Sequence, residues 1–357
     1  MQTRLLALGI VPTLALATAV GAQSGTAIYE LTFDSTWSAT THPVQFPSNP
    51  HFSPPIGGTH NSQVRFWEVG GLATTGMERM AELGSTSSLR SEVNAAISGG
   101  DADQVLQFSG LGTSPSSRTV TFTVDADYSQ LTLVTMLAPS PDWFVGVGGL
   151  ELRPNGVWVD DMTVPLIVWD AGTDSGTTYT SPNSQTTPQD PIAQVDTTAG
   201  PFQGLPGPVG SYFIRRLASS NVFGCGINPD GSMADASGTP HVGATSSVFL
   251  QDTAGALSGP VQSFVAISAA PLPTFPCGAS IVGLGLAARG TPGEVLILPP
   301  FPILPGPALV GGAARFDLPI PSNPLLVAQK IYLQGVLVDA TRAGLTNAIE
   351  LGIGTAR

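Results

Sequence analysis

Charge is scarce in this sequence. Only 11% of its 357 residues are Asp, Glu, Lys or Arg, against roughly a quarter in an average soluble chain. Bases are the scarcer sign, with 13 Lys and Arg against 25 acids and a formal charge of −12. Binding to a phosphate backbone needs a basic surface, so a nucleic-acid partner is not expected. An anionic membrane holds no attraction for such a chain without a bridging cation. Cysteine is limited to Cys225 and Cys277, and histidine to His42, His51, His60 and His241. Two cysteines with no histidine at ligand spacing cannot by themselves build a structural zinc site. There is no Gly-x-Ser-x-Gly elbow, no HExxH helix and no P-loop, the common signatures of hydrolase, metalloprotease and nucleotide chemistry. No internal repeat is present, which argues against a solenoid or propeller. Long apolar runs are also missing after the first residues. Ile281–Ala288 and Val295–Val310 are apolar but broken by Gly and Pro, so no transmembrane segment is expected.

What the chain does contain is apolar surface and punctuation. Hydrophobic residues make up 42%, with 42 Gly and 32 Pro. The first supports a folded core; the second argues against long helices. Without a Gly-X-Y period, collagen is excluded, and a mainly β fold is expected. Residues 1–22 have the form of a signal peptide: Arg4, an apolar stretch from Leu5 to Val20, and small residues at Val20-Gly21-Ala22. Pro12 and the shortness of the run count against a membrane anchor. Two cysteines in an exported chain pair as one disulfide, Cys225–Cys277, with two free buried thiols as the alternative.

Strands are expected at Ala27–Phe33, Val64–Trp67, Thr119–Val124, Gln130–Leu137, Phe144–Leu152, Val164–Trp169 and Tyr212–Leu217, where β-branched and aromatic residues sit between turn formers. Met77, Met80, Ala81 and then Leu89, Val93, Ile97 fall at helical spacing. They predict helices at Ala73–Leu83 and Ser88–Ile97, the second capped by Ser87 or Ser88 with Glu92 near its first turn. Gly200–Gly210 is rich in Pro and Gly, a linker or long loop. From Asn221 onward short apolar runs alternate with turns: Ser246–Leu250, Val261–Ser268, Ala279–Leu286, Glu294–Leu298, Ala314–Ile320, Lys330–Val338 and Ile349–Ile353. This divides the mature chain into residues 23–220 and 221–357, two β-sandwich-like domains, the first with a short helical insertion.

Two motifs place acids in tight turns after strands: Pro139-Ser140-Pro141-Asp142-Trp143 and Trp169-Asp170-Ala171-Gly172-Thr173-Asp174-Ser175-Gly176. Carboxylates on neighbouring loops, with Gly permitting close backbone approach, suit a calcium ion. The alternative is that each Asp caps its own turn. An EF-hand is not indicated, because Ser181 stands where the loop's last Glu belongs. His42, His51 and His60 lie near one another in sequence and raise the question of catalysis. Histidines in loops beside Pro are more often structural, and no enzyme is expected. Asp160 and Asp161 are adjacent on a strand and would face opposite ways. Of the five tryptophans, Trp143 is the one whose position after Asp142 suggests a ring at a binding surface.

From Ala27 to Leu217 the chain resembles the spondin N-terminal domain family of extracellular matrix proteins. The resemblance rests on motifs in order: Tyr29 to Phe33 leading to Trp37-Ser38; His42-Pro43 and Phe46-Pro47; His51-Phe52-Ser53-Pro54; His60-Asn61; Trp67, Gly76 and Ala81-Glu82-Leu83-Gly84; then Pro139 to Val147, Asp170 to Gly176, Ser181-Pro182-Asn183 and Thr187-Pro188-Gln189-Asp190. It implies a sandwich like that of calcium- and lipid-binding modules, with calcium held at one end by Asp142 and Asp170 and with Asp174 beside them. A further family ligand is a Glu where this chain has Thr123; Asp125, two residues on and on the same strand face, is the candidate to replace it. The family implies a secreted, non-enzymatic adhesion or matrix protein with an extracellular protein or glycan as partner. A calcium-dependent carbohydrate-binding module and a secreted hydrolase are the competing readings. Gly224-Cys225-Gly226-Ile227-Asn228-Pro229, Pro276-Cys277-Gly278 and Leu345-Thr346-Asn347 are similar to a C-terminal module of secreted bacterial proteins.

Overall fold

The computed structural model describes residues 25–205, 207–237, 240–299 and 302–355. The expected signal peptide, residues 1–22, lies outside the described residues. The fold is mainly β. Every strand ladder is antiparallel.

Residues up to about 205 form three layers. The first is part of an eight-stranded sheet, in which Gly25–Ser35 lies between Ser116–Asp125 and Gly210–Phe223. The second is a seven-stranded sheet ordered Ala193–Gln194, Trp169–Asp170, Trp143–Glu151, Gln130–Ala138, Ile56–His60, Ala102–Gln107, with His51–Phe52 also on Gln130–Ala138. Strand Gly25–Ser35 alternates strictly, and its inward Ala27, Tyr29, Leu31 and Phe33 meet Leu131, Leu133 and Val145 of the second sheet. Strand Gln130–Ala138 is buried on both faces, so it carries an almost unbroken apolar run. Its other face, with Val134 and Met136, packs under the third layer, helices α1 (Thr75–Leu83) and α2 (Ser87–Gly99).

The helices form because Met77, Met80, Leu89 and Val93 recur on one face and are fully buried. Thr74 caps α1 by accepting the Met77 N–H at 3.2 Å. Gly84 ends it in the left-handed region, φ 64°. For α2 the expected serine cap is not found: Thr86 precedes it and makes no side-chain cap. Glu92 instead reaches across to α1, accepting the Gly76 N–H at 2.7 Å and the Thr74 hydroxyl at 2.7 Å. Val64–Trp67 is not a strand. Trp67 anchors that segment by donating its indole N–H to the Val147 carbonyl at 3.2 Å.

The C-terminal half continues the eight-stranded sheet with Ala343–Gly352, Lys330–Val338, Gln262–Ser268 and Ile303–Ala308. A three-stranded sheet of Met233–Ser237, Thr245–Gln251 and Ala313–Pro319 covers it, burying Val248, Leu250, Phe316 and Leu318 against Val265, Leu333, Ile349 and Leu351. Ala279–Val282 and Pro292–Val295 form a separate hairpin. Cys225 and Cys277 are joined in a disulfide.

The division at 220/221 falls inside a continuous strand. Gly210–Phe223 pairs along one edge with the whole of Gly25–Ser35. Along its other edge it pairs first with Asp161–Leu166 and then, from Ser219, with Ala343–Gly352. The preceding Gly/Pro-rich segment is no free linker: Phe202 is 2% exposed and packs on Trp143 and Tyr179.

Strand Ile56–His60 can run between its neighbours only because it carries glycine. A Cβ on Gly57 would sit 1.9 Å from the Thr132 carbonyl oxygen. The atoms it would meet are backbone of Thr132 and Leu133, which cannot yield as a side chain could, so Gly57→Ala should destabilise the fold by about 3 kcal/mol, at the upper end for overpacking. Gly112→Ala, with nothing within 4 Å of the added carbon, is the control. Denaturant midpoints of the two variants check this; equal midpoints would show that the strand can shift to admit a methyl.

Candidate metal centre

The acid-bearing loops lie at one end of the three-layered unit. Pro139 to Asp142 is the turn between Gln130–Ala138 and Trp143–Glu151. Trp143 pairs with Asp170 in register, and the Ala171 N–H donates to the Asp142 carbonyl at 3.2 Å. Short strands thus bring two sequence-distant acids side by side.

Asp142 is completely buried. Its Oδ2 accepts the Thr173 N–H at 2.7 Å, the Asp174 N–H at 3.0 Å and the Thr173 hydroxyl at 3.3 Å. Its Oδ1 is equally buried and has no hydrogen-bond partner among the described residues. Such an orphaned carboxylate oxygen costs free energy unless something meets it. Asp170 accepts the Gly172 N–H at 2.8 Å on Oδ1 and the Trp143 indole N–H at 3.3 Å on Oδ2. Asp174, 5% exposed, accepts N–H groups from Gly176 at 2.7 Å and Ser184 at 3.1 Å. Turn capping is therefore real for Asp170 and Asp174, and it leaves Asp142 Oδ1 over.

The floor beneath is aromatic. Trp143, Tyr179 and Phe202 meet edge to face, with Trp37 and His42 packed around them. Trp143 is 4% exposed, so it is part of this floor and not a ring offered to a ligand. Burial over that floor pushes the Asp142 carboxyl up to about 7, and the Asp170 charge adds to the rise. Asp170 is raised too, by burial first and then by the charges of Asp190 and Asp174.

Glu82, part of the Ala81-Glu82-Leu83-Gly84 motif and not among the acids expected to hold an ion, belongs here. Its carboxyl is raised by burial and then by the charges of Glu78 and Asp174, and the Thr173 side chain hydrogen-bonds it. The α1 face that buries Met80 and Ala81 leaves Glu82 half-buried beside the loops. The sequence signal is an acid directly after the buried Met80-Ala81 pair, on the last turn of the helix.

Asp125 does not join them. It pairs with Thr26, whereas the loop end of that ladder is Ser35 with Ser116. The nine-residue strand Gln130–Ala138 separates it from Asp142, a length of about 30 Å. Asp125 caps a short 3₁₀ turn, accepting the Asp127 N–H at 2.8 Å. Thr123 lies on the same remote stretch, exposed. Sharing a strand face fixed the side on which these residues point, not the end of the sandwich they occupy.

The donor set is all oxygen, with one desolvated carboxylate oxygen free, which fits a hard cation such as calcium. Among the described residues no three of these carboxylates come within 4.8 Å of one another. Backbone carbonyls and water would therefore complete an ion's shell.

The histidines do not converge. His51 and His60 stand opposite Ala138 and Gln130 respectively, at the two ends of one strand. His60 is fully buried, its Nε2 2.8 Å from the Thr132 hydroxyl. Burial lowers the basicity of His42 and His60. Asp160 is exposed and pairs with Arg216.

A layered antiparallel sandwich with acid-bearing loops on two adjacent turns at one end defines the class. Residues 27–203 are a spondin N-terminal domain, matching the family model described as Spondin_N. Spondin-1 of Homo sapiens is 37% identical over 227 residues, covering 58% of this chain and 27% of that protein. Spondin-1 of Gallus gallus is 38% identical over the same length. Spondin-2 of Rattus norvegicus is 34% identical over 203 residues, 54% of this chain and 58% of that protein. The chain thus spans about a quarter of spondin-1, 27%.

The raised Asp142 carboxyl has a consequence for stability. Folded Asp142 keeps its proton up to about 7, whereas the unfolded carboxyl loses it from 3.8. Between those values the folded state binds the extra proton, so this group favours folding at the acid end and less as pH rises towards neutrality. In metal-free protein Asp142→Asn should flatten that decline, as seen in denaturation midpoints across the window. Identical slopes for wild type and variant would mean that Asp142 is already charged when folded.

Proposed function

We propose that this chain is an extracellular, non-enzymatic matrix or adhesion protein whose spondin domain is held in its working shape by calcium. The observation that carries the reading is the fully buried Asp142 with its unpartnered Oδ1, flanked by Asp170, Asp174 and Glu82. After burial, the Asp170 charge raises the Asp142 carboxyl and the Asp174 charge raises those of Asp170 and Glu82, and a divalent cation removes that repulsion. Asp142, Asp170 and Glu82 would supply side-chain oxygens, with Asp174 holding the loop. Homology to spondins, which are extracellular matrix proteins, supports the setting, and no helix among the described residues is long and apolar enough to cross a membrane. Calcium would fix the acid-bearing loops as a rigid surface for an extracellular partner. The carbohydrate reading loses its main support, because Trp143 is buried in the aromatic floor.

The test is a melting curve in calcium against one in chelator. Calcium bound to the folded state alone should add about 2.7 kcal/mol of stability at a hundredfold excess over its dissociation constant. Magnesium should substitute poorly, because it demands tighter octahedral geometry. Asp142→Asn should abolish the calcium effect and Glu82→Gln should reduce it, while Asp125→Asn leaves it intact. Equal melting in calcium and chelator for the wild type would defeat the calcium reading.

A further inference from the structure

The C-terminal segments singled out in the sequence meet at one place. Gly224–Pro229, Pro276–Gly278 and Leu345–Asn347 gather around Glu294, a carboxylate only 1% exposed. Its Oε2 accepts the Cys225 N–H at 3.2 Å and its Oε1 accepts the Gly278 N–H at 2.7 Å. One buried carboxylate thus accepts a backbone N–H from Cys225 and one from the residue that follows Cys277. No cation pairs with it among the described residues. The two sulfurs and a Glu294 carboxylate oxygen all lie within 4.8 Å of one another.

The scaffold holding this group does not depend on the disulfide. Asn228 accepts the Glu294 N–H at 2.8 Å and donates to the Glu294 and Thr346 carbonyls, both at 2.7 Å. Gln334 donates to the same two carbonyls at 2.7 and 2.9 Å. The Thr274 hydroxyl donates to the Cys277 carbonyl at 2.9 Å. With the S–S bond open, Cys225 and Gly278, the residue after Cys277, would remain tied to the Glu294 carboxylate through their backbone N–H groups. Cys225 is exposed and Cys277 half-buried, so a small reductant has access.

We propose that this cluster is a redox-gated metal site. It is closed while Cys225 and Cys277 are joined. Once a thiol reductant opens them, it takes a thiophilic divalent cation such as zinc. The thiolate of a dithiol attacks one sulfur, breaking the Cys225–Cys277 bond, and its second thiol then closes the reductant's own disulfide. Two electrons pass to the protein, and both cysteines end as thiols. Zinc displaces the two thiol protons to solvent and is held by two sulfurs and one Glu294 oxygen, with water in the fourth position. Zinc–sulfur and zinc–oxygen bonds of about 2.3 and 2.1 Å place tetrahedral ligands roughly 3.5–3.8 Å apart. The cluster therefore needs only the opening of the S–S bond and small side-chain movements. Sulfur donors distinguish this site from the all-oxygen loop end and favour zinc over calcium.

The experiment uses the full chain in calcium, so that the other end is supplied with its own cation. Oxidised and reduced protein are titrated with zinc against a chromophoric chelator, and the reduced protein also with cobalt. Reduced wild type should take up one zinc, oxidised protein none, and the cobalt form should show sulfur-to-cobalt charge transfer with tetrahedral ligand-field bands. Cys225→Ser should lose binding. Glu294→Gln should weaken it by about tenfold or more, since even outer-shell partners of a metal carry that much. The cobalt spectrum of reduced wild type decides the matter even if the Glu294 variant folds poorly. Absence of those bands, or zinc held equally by reduced wild type and Cys225→Ser, overturns the proposal. Equal affinity of a folded Glu294→Gln variant overturns it as well, leaving Glu294 a backbone clamp.

Discussion

The structure hangs on the backbone hydrogen bonding of one strand. Gly210–Phe223 is 14 residues long, well beyond the usual five or six, and is paired along both edges. On one edge it meets the first described strand, Gly25–Ser35; on the other, one strand from each half in turn. A strand bonded in this way cannot slip by one residue without turning Tyr212 and Ile214 out of the core, because side chains alternate. Both halves therefore take their register from the same ladder. The acid-bearing loops and the disulfide stand beyond opposite ends of this strand, each placed by it.

The two candidate sites illustrate one physical idea carried out differently. At the loop end, burial over aromatic rings makes carboxylates expensive to charge and leaves an oxygen without a donor. Around Glu294 a buried carboxylate is fully hydrogen-bonded and has sulfur beside it. Hard oxygen in the first case and soft sulfur in the second set different cation preferences, although both begin from a carboxyl group removed from water.

Much of this was legible from residue order. Alternation at Ala27–Phe33 and the spacing of Met77, Met80, Leu89 and Val93 are local signals, and the elements formed there. Asp142, Asp170 and Asp174 were found because their turns carry recognisable motifs. Ile56–His60 escaped notice because Gly57 and Gly58 suggest a turn, while the strand needs them for close approach. Ile303–Ala308 contains two prolines and still forms an edge strand, where a missing donor costs nothing. Val64–Trp67 had the composition of a strand but no ladder to join. The boundary at 220/221 followed a change of texture, which reports side chains; the pairing that crosses it is a matter of backbone. Asp125 was misplaced because period-two reasoning is blind to distance along a strand. Glu82 was passed over because it lies on a helix that touches the loops only in three dimensions.

The aromatic floor has a spectroscopic consequence. All five tryptophans, from Trp37 to Trp169, fall in the spondin domain, and residues 170–357 contain none. Intrinsic indole emission therefore comes from one half of the molecule alone. Trp143, bonded through its indole N–H to Asp170, places one of those five emitters in direct contact with the acid-bearing end. Events in the C-terminal half are dark at those wavelengths, so the protein comes with a native optical label on one half and an unlabelled reference in the other.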